Sequence, residues 1–198
     1  MADTNQQSQE LQPVLVLGPP LIFQQLESQC SHKYTFLKAF ATSLPIDQFL
    51  VTHHVDPSSI LCNPLQEVNA EVLCLLPSLG IVVTASVSTD HIDLTECHRR
   101  RVQVATVGGL YTEDVADLGM GLFIDVLRKI STGDQYVGGK RIENEPNVPE
   151  ELFALDNNLL LSPHTAAMSL EGTRDIVARN LEAFFSSKPL VSPIIMDA

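Results

Sequence analysis

The sequence predicts an α/β fold, a flavodoxin-like parallel five-stranded domain with flanking helices, and three observations lead to it. Five short apolar runs recur between residues 14 and 105, and helical stretches separate them. The first run, Val14-Leu15-Val16-Leu17-Gly18, is continuously apolar, as for a parallel strand covered on both faces. The spacing of strand and helix repeats about every 20 residues, which suits βαβ units with right-handed crossovers.

Each element has its own signal. A helix is expected to start at Pro19-Pro20, since proline is accommodated at a helix start. Tyr34 to Leu37 forms a second strand, Asp47 to Thr52 a short helix after Pro45, and Ile60-Leu61-Cys62 a third strand. Asn69 is placed to cap a helix running to Leu76 before Pro77, and Ile81 to Ala85 forms a fourth strand. His91 to Arg101 reads as a helix with Arg99, Arg100 and Arg101 at the end where cations suit the dipole. Val102 to Ala105 is the fifth strand. Thr112 to Val137 is the longest helical stretch, opened by Thr112 with Glu113 and Asp114 in its first turn. Its apolar residues cover most of its circumference, so it is expected to be buried between two bodies or in a dimer. Gly119 and Gly121 within it suggest close backbone packing. Ser169 to Ser187 is amphipathic and is expected to pack back on the strands through Val177, Leu181, Phe184 and Phe185.

Bulk properties narrow the function. The 198 residues carry 12 Lys and Arg against 24 Asp and Glu, a net charge of -12. That balance, with no basic run, argues against nucleic acid and against an anionic membrane surface. A small anionic substrate would need a local site working against the overall field. Cys30, Cys62, Cys74 and Cys97 are scattered without CxxC or zinc spacing, so they read as reduced thiols of a cytoplasmic protein, with no metal site. The first ten residues lack the basic start and apolar core of a secretory signal. No window reaches a membrane-spanning length, and the final Met196-Asp197-Ala198 is no peroxisomal address.

One stretch carries chemistry. Glu145, in a loop just before Pro146, lies nineteen positions ahead of His164, which follows the apolar run Leu159-Leu160-Leu161 and the turn Ser162-Pro163. If that run is a buried strand, His164 stands at its carboxyl end, where open α/β sheets keep ligands. A carboxylate holding one ring nitrogen would raise the imidazole pKa and leave the other nitrogen to give or take a proton. The plainer reading, a partly exposed loop histidine, stands beside it.

Asn144-Glu145-Pro146, Pro149-Glu150-Glu151-Leu152-Phe153, Asp156-Asn157 and Leu161-Ser162-Pro163-His164 resemble the catalytic end of the NAD(P)-dependent D-2-hydroxyacid dehydrogenases, within them most closely the plant hydroxyphenylpyruvate, hydroxypyruvate and glyoxylate reductases. The resemblance implies reduction of a small 2-oxo acid to the D-2-hydroxy acid with NADPH or NADH, with His164 protonating the carbonyl oxygen and Glu145 as its partner. Ser86-Val87-Ser88, continuing through Thr89-Asp90-His91-Ile92-Asp93-Leu94, is similar to the family's substrate loop, whose backbone amides hold the substrate carboxylate. Ser88 stands where the family usually has Gly, which would weaken the site if the backbone there needs positive φ or close ligand approach.

The resemblance also exposes a gap. Family members run from the long helix through a Lys-Arg-Ile-type strand into Gly-x-Gly-x-x-Gly and a complete Rossmann domain. Here Gly138-Gly139-Lys140-Arg141-Ile142 passes directly into Glu143-Asn144-Glu145-Pro146, and Gly-x-Gly-x-x-Gly occurs nowhere. Gly108-Gly109 is a weak phosphate-loop candidate against a simple turn. The family's catalytic Arg falls in the missing part, and its role is not transferred to Arg141. The implied organisation is a disordered N-terminus over 1–12, a substrate-binding domain over 13–111, an interdomain helix over 112–137, a remnant of the cofactor domain over 138–168, and a C-terminal helix and tail over 169–198. No intact cofactor-binding residues are expected, and the chain is read as an inactive, truncated form. The alternatives are a non-catalytic binding or dimer-modulating form, associating through helix 112–137 and strand 158–162, and a plain flavodoxin-like module without ligand.

Overall fold

The computed structural model describes residues 11–128, 130 and 170–196. The chain divides into two units, Met1–Gly109 with Leu170–Ala198, and Leu110–Ser169.

In the first unit five parallel strands, β1 (Gln12–Val16), β2 (Tyr34–Lys38), β3 (Ser59–Cys62), β4 (Ile81–Thr84) and β5 (Gln103–Ala105), form one sheet in the order β2-β1-β3-β4-β5. Every residue of β3 and β4 is buried. Alternation of side chains across the pleat divides the interior by parity. Leu15, Ile60, Cys62, Val82 and Val104 face one apolar layer, and Val14, Val16, Leu61, Ile81, Val83 and Ala105 face the other.

Helices α2 (Ile46–His53), α3 (Ala70–Cys74) and α4 (Leu94–Arg100) cover the first layer with Phe49, Leu50, Leu73 and Cys97. Helix α1 (Phe23–Cys30) and the C-terminal helix, named α6 (Leu170–Phe185), cover the second with Phe23, Leu26, Cys30, Val177 and Leu181. As expected, α6 returns to the strands, with Phe184 and Phe185 packed at the margin of that layer.

Local chemistry moves several boundaries. β1 begins at Gln12, paired with Tyr34, so the disorder expected over 1–12 does not extend to residue 12. α1 begins at Phe23, because Pro20 first closes a turn by accepting from the Phe23 amide at 2.9 Å. Asn69 caps α3 as expected, accepting from the Val72 amide at 3.1 Å. α4 begins at Leu94 rather than His91. Asp93 accepts from the Glu96 amide at 2.9 Å, and Ile92 is drawn into a bridge with Val68. A single 3-10 turn at Ala39–Ala41 has no forerunner in the sequence pattern.

The arginines closing α4 have separate tasks. Arg99 forks onto Glu96 at 2.7 and 2.6 Å, whereas Arg100 donates to the carbonyls of Leu73 and Leu76 and so caps the end of α3.

A strap after α6 covers the free edge of β5. Ala105 bridges antiparallel to Pro193, and the Ile194 amide donates to the Val104 carbonyl at 2.8 Å. Covering an edge removes a template for pairing between chains. The buried Asn180 fixes the strap. Its Nδ2 donates to Ile176 O and Ser192 Oγ, both at 3.0 Å, and its Oδ1 accepts from the Val191 and Ser192 amides at 3.0 and 3.3 Å. Ser192 Oγ in turn donates to Thr106 O at 2.6 Å.

In the second unit, α5 (Thr112–Arg128) opens at Thr112 as expected, but none of its residues is buried. Phe123 is 58% and Leu127 63% exposed, so the described residues of this single chain do not enclose the helix between two bodies, and the alternative expectation of burial in a dimer concerns a second copy. Among the described residues, a Cβ at Gly119 or Gly121 would meet nothing within 4 Å, so no described part of this chain packs closely on these glycines.

Replacing Asn180 by Ala leaves buried donors and acceptors unpaired, each worth about 1–3 kcal/mol. Urea unfolding of Asn180→Ala is therefore expected to show a loss of about 2–4 kcal/mol, and a change below 0.5 kcal/mol, roughly the size of an ordinary surface substitution, would contradict the clamp.

Candidate functional site

Parallel order fixes where a site can form, because all five strands end on the same side and their loops meet there. Three loops follow the central strands. After β1, Gly18-Pro19-Pro20 packs against the β3 loop. A Cβ on Gly18 would lie 3.1 Å from Asn63 Nδ2, Asn63 Oδ1 and Gln66 Cβ. Asn63 binds the two loops together by donating to Pro19 O at 3.2 Å and accepting from the Leu65 amide at 2.9 Å.

After β4 comes the loop that holds Ser86, Val87 and Ser88. Ser86 is half-buried, while Val87 and Ser88 are exposed. The loop is tethered at both ends. The Ala85 amide donates to Cys62 O at 3.1 Å, and Ser86 O accepts from the Val107 amide at 3.0 Å. Beyond the loop, the Val68 amide donates to His91 O at 2.8 Å and the Asp93 amide to Val68 O at 3.0 Å. Ser88 Oγ donates to Asp90 Oδ2 at 2.8 Å and lies 3.2 Å from the Asp90 amide. Among the described residues, no acceptor takes the amides of Ser86, Val87, Ser88 or Thr89. Four successive amides without a described acceptor at a strand end are donors available to an anion.

Ser88 is not among the residues with positive φ. The conformation there demands no glycine, and serine brings no backbone strain.

Beneath the loop stands a group that the sequence did not single out for the site. His91 Nε2 lies 3.0 Å from Thr84 Oγ1 and 3.9 Å from Cys62 Sγ. Thr84 and Cys62 are fully buried. Burial holds the His91 pKa below that of an ordinary imidazole, against the opposing pull of Asp90. The available signal was positional: Thr84 and His91 bracket the loop, seven residues apart.

Glu145, His164 and the run 158–162 lie outside the described residues, as does the junction at 138–146. Among the described residues no group of three or more His, Cys, Asp or Glu could hold a metal ion. No described helix is long and apolar enough to cross a membrane.

The described loops do not fit the pyrophosphate of a nicotinamide dinucleotide. Pro19 and Pro20 have no amide hydrogen to offer where the chain leaves β1, and the space beside Gly18 belongs to Asn63 and Gln66. At Gly108, with φ of +59°, the amide already donates to Thr106 Oγ1 at 3.0 Å, and a Cβ would meet Ser192 at 3.2 Å. Gly108-Gly109 is a turn against the strap.

Comparison with known proteins places the chain in context. Residues 27–195 match the family model described as "D-isomer specific 2-hydroxyacid dehydrogenase, catalytic domain". A glyoxylate/hydroxypyruvate reductase of Arabidopsis thaliana is 24% identical over 322 aligned positions, covering 96% of this chain and 99% of the relative. Those positions outnumber the 198 residues of this chain, so a long part of that relative has no counterpart here. A second glyoxylate/hydroxypyruvate reductase from Arabidopsis thaliana is 34% identical over 112 residues, and a hydroxyphenylpyruvate reductase of Plectranthus scutellarioides 32% identical over 124. These two matches cover 57% and 63% of this chain but only 36% and 39% of the relatives' lengths. Among solved structures, a 2-hydroxyacid dehydrogenase from Ketogulonicigenium vulgare shares the fold with a TM-score of 0.80 at 15% identity, covering 94% of this chain and 99% of that one. An NADPH-dependent glyoxylate/hydroxypyruvate reductase from Sinorhizobium meliloti gives 0.67 at 15% identity, covering 92% and 97%.

The thiols flanking the loop give the fold a pH signature. Burial pushes Cys62 up to about 12, partly offset by the Thr84 hydroxyl, and pushes Cys97 up to about 11. Folded thiols thus stay neutral where unfolded ones ionise. Their contribution is complete below the ordinary value of 9.0 and is lost as pH rises from there towards the folded values. For Cys62 the slope is at most about 1.4 kcal/mol per pH unit. Urea unfolding is expected to show stability falling between about pH 9 and 11, with a shallower fall in Cys62→Ala; equal slopes would contradict the assignment.

Proposed function

The chain belongs to the D-isomer-specific 2-hydroxyacid dehydrogenase family, and from that premise we propose that the loop Ser86-Val87-Ser88 holds the carboxylate of a small 2-oxo acid of the glyoxylate, hydroxypyruvate or hydroxyphenylpyruvate kind. The observation that carries this reading is the run of unengaged amides at the carboxyl end of β4. Hydrogen bonds to a charged acceptor are worth about 1.5–3 kcal/mol each. Few groups work against the net charge of -12, so binding is weak, with dissociation constants on the order of millimolar.

By the family's chemistry, the 2-oxo acid is reduced to the D-2-hydroxy acid with NADPH or NADH. His164 would protonate the carbonyl oxygen, and Glu145 would hold its imidazole, each assigned by its matching motif. In this reading the chain keeps the substrate domain over 13–111, the helix over 112–137, the proton-handling remnant over 138–168 and the returning tail over 169–198. It lacks the cradle that would hold a nucleotide. Three observations support that part: the absence of Gly-x-Gly-x-x-Gly, the proline-filled turn after β1, and the excess length of the aligned relative. No hydride-transfer step is assigned to the chain by itself, which makes it a 2-oxo acid binding form in the cytoplasm rather than a working reductase.

The apolar residues exposed along α5, among them Met120, Phe123 and Leu127, support a second reading: a non-catalytic, dimer-modulating form that associates through helix 112–137 and strand 158–162.

Calorimetric titration of the purified chain tests the main reading. Glyoxylate or hydroxypyruvate is expected to bind in the millimolar range, and Val87→Asp, which sets a like charge in the loop, to bind at least about tenfold more weakly. NADPH is expected to give no saturable heat. Micromolar NADPH affinity would overturn the missing cradle, and undiminished binding by Val87→Asp would overturn the carboxylate site.

A further inference from the structure

We propose that His91 is the positioning residue of the β4 loop, its imidazole holding the amides of Ser86 to Thr89 in their anion-accepting arrangement by closing the loop onto Thr84. This rests on the reading of that loop as the carboxylate site, but the loop's order can be measured without ligand.

The loop leaves the sheet at Thr84 and rejoins packed structure at Ile92. Its first anchors are main-chain bonds at Ala85 and Ser86, and its last are the Val68 bonds to His91 O and the Asp93 amide. Between them the contacts are local: Ser88 with Asp90, and the Ile92 amide with Thr89 O at 2.9 Å. Turns of that kind hold a shape but do not orient it relative to the sheet. The side-chain contact that spans the loop's base is His91 Nε2 with Thr84 Oγ1, at 3.0 Å.

Burial makes this contact matter. Thr84 is fully buried, and on its far side stands Cys62, also fully buried, whose Sγ lies 3.9 Å from the same imidazole nitrogen. Removing the imidazole takes from Thr84 its ring-nitrogen partner and leaves it the weaker thiol of Cys62, so the hydrogen bond that joins the loop to the sheet side chain is lost. The Cys62 thiol, which contacts the Thr84 hydroxyl and, at 3.8 Å, Val83 O, lies in the sheet and ties Thr84 to nothing on the loop. His91 itself is half-buried, so its ring is a wedge as well as a hydrogen-bonding partner. The two roles separate by substitution. His91→Phe keeps a ring and loses the nitrogen, and His91→Gln restores a polar group at comparable reach from the backbone.

The experiment pairs backbone order with binding. Amide relaxation of Val87, Ser88 and Asp90 is expected to give order parameters near 0.85 in the wild-type chain and in His91→Gln, falling below about 0.6 in His91→Phe. Glyoxylate affinity measured by calorimetry is expected to fall about three- to tenfold in His91→Phe, the equivalent of one hydrogen bond, and to return within about twofold in His91→Gln. Thermal unfolding run alongside separates loop order from global stability. Unchanged order parameters in His91→Phe would overturn the proposal, as would equal disorder in His91→Phe and His91→Gln, which would make the ring's volume the cause. Should the wild-type chain bind no glyoxylate, the carboxylate reading fails, and the relaxation data still decide what His91 does.

Discussion

A slip of one residue in any strand of this sheet would carry its whole set of apolar side chains to the wrong layer. β3 and β4 have no polar face to spare, and Val14, Leu15 and Val16 of β1 are equally enclosed. The fit of each strand's side chains into two differently filled layers therefore fixes the register, and register fixes the level at which each strand ends. The site inherits its geometry from that constraint. The loops after β1, β3 and β4 meet on one side because Leu15 is level with Ile60, and Ile60 with Val82.

Interactions at the periphery keep this core intact. Gly80 shows how closely α6 approaches: a Cβ there would fall 2.6 Å from the Phe184 ring. Tyr34 packs on Phe185 with centroids 5.4 Å apart, so residues separated by about 150 positions share one layer. Asn180 then directs the strap along β5. The first unit is thus closed by the end of the chain, although a second unit intervenes in sequence.

Much of this was legible in the residues. Continuous apolar runs such as Val14 to Leu17 and Ile81 to Thr84 can be read as doubly covered strands, and Asn69 announces the start of α3. Helix starts were harder, since Pro20 first closes a local turn onto Phe23, and the segment before α4 is drawn into a bridge with the distant Val68. The apolar circumference of α5 reports what the helix can pack against, a second body or a second copy, and the described residues of this chain do not supply that cover. At the candidate site, Ser86 to Ser88 are singled out through a motif. His91 is not, because its meaning lies in a contact with Thr84 and Cys62 that only the sheet creates. The backbone at Ser88 has no positive φ, so serine there brings no strain, while the space a ligand needs beside it is a separate matter. A substitution pattern suggests strain, and only geometry can establish it.

The physical account comes down to a row of amides that take no acceptor among the described residues of an otherwise acidic chain. Its most direct test is a titration with glyoxylate followed by amide nitrogen–proton spectra. The account predicts progressive, saturable shifts centred on Ser86, Val87, Ser88 and Thr89, with the β2 edge and α6 undisturbed. Saturable shifts centred elsewhere, or none at the loop up to concentrations of tens of millimolar, roughly ten times the expected dissociation constant, would contradict it.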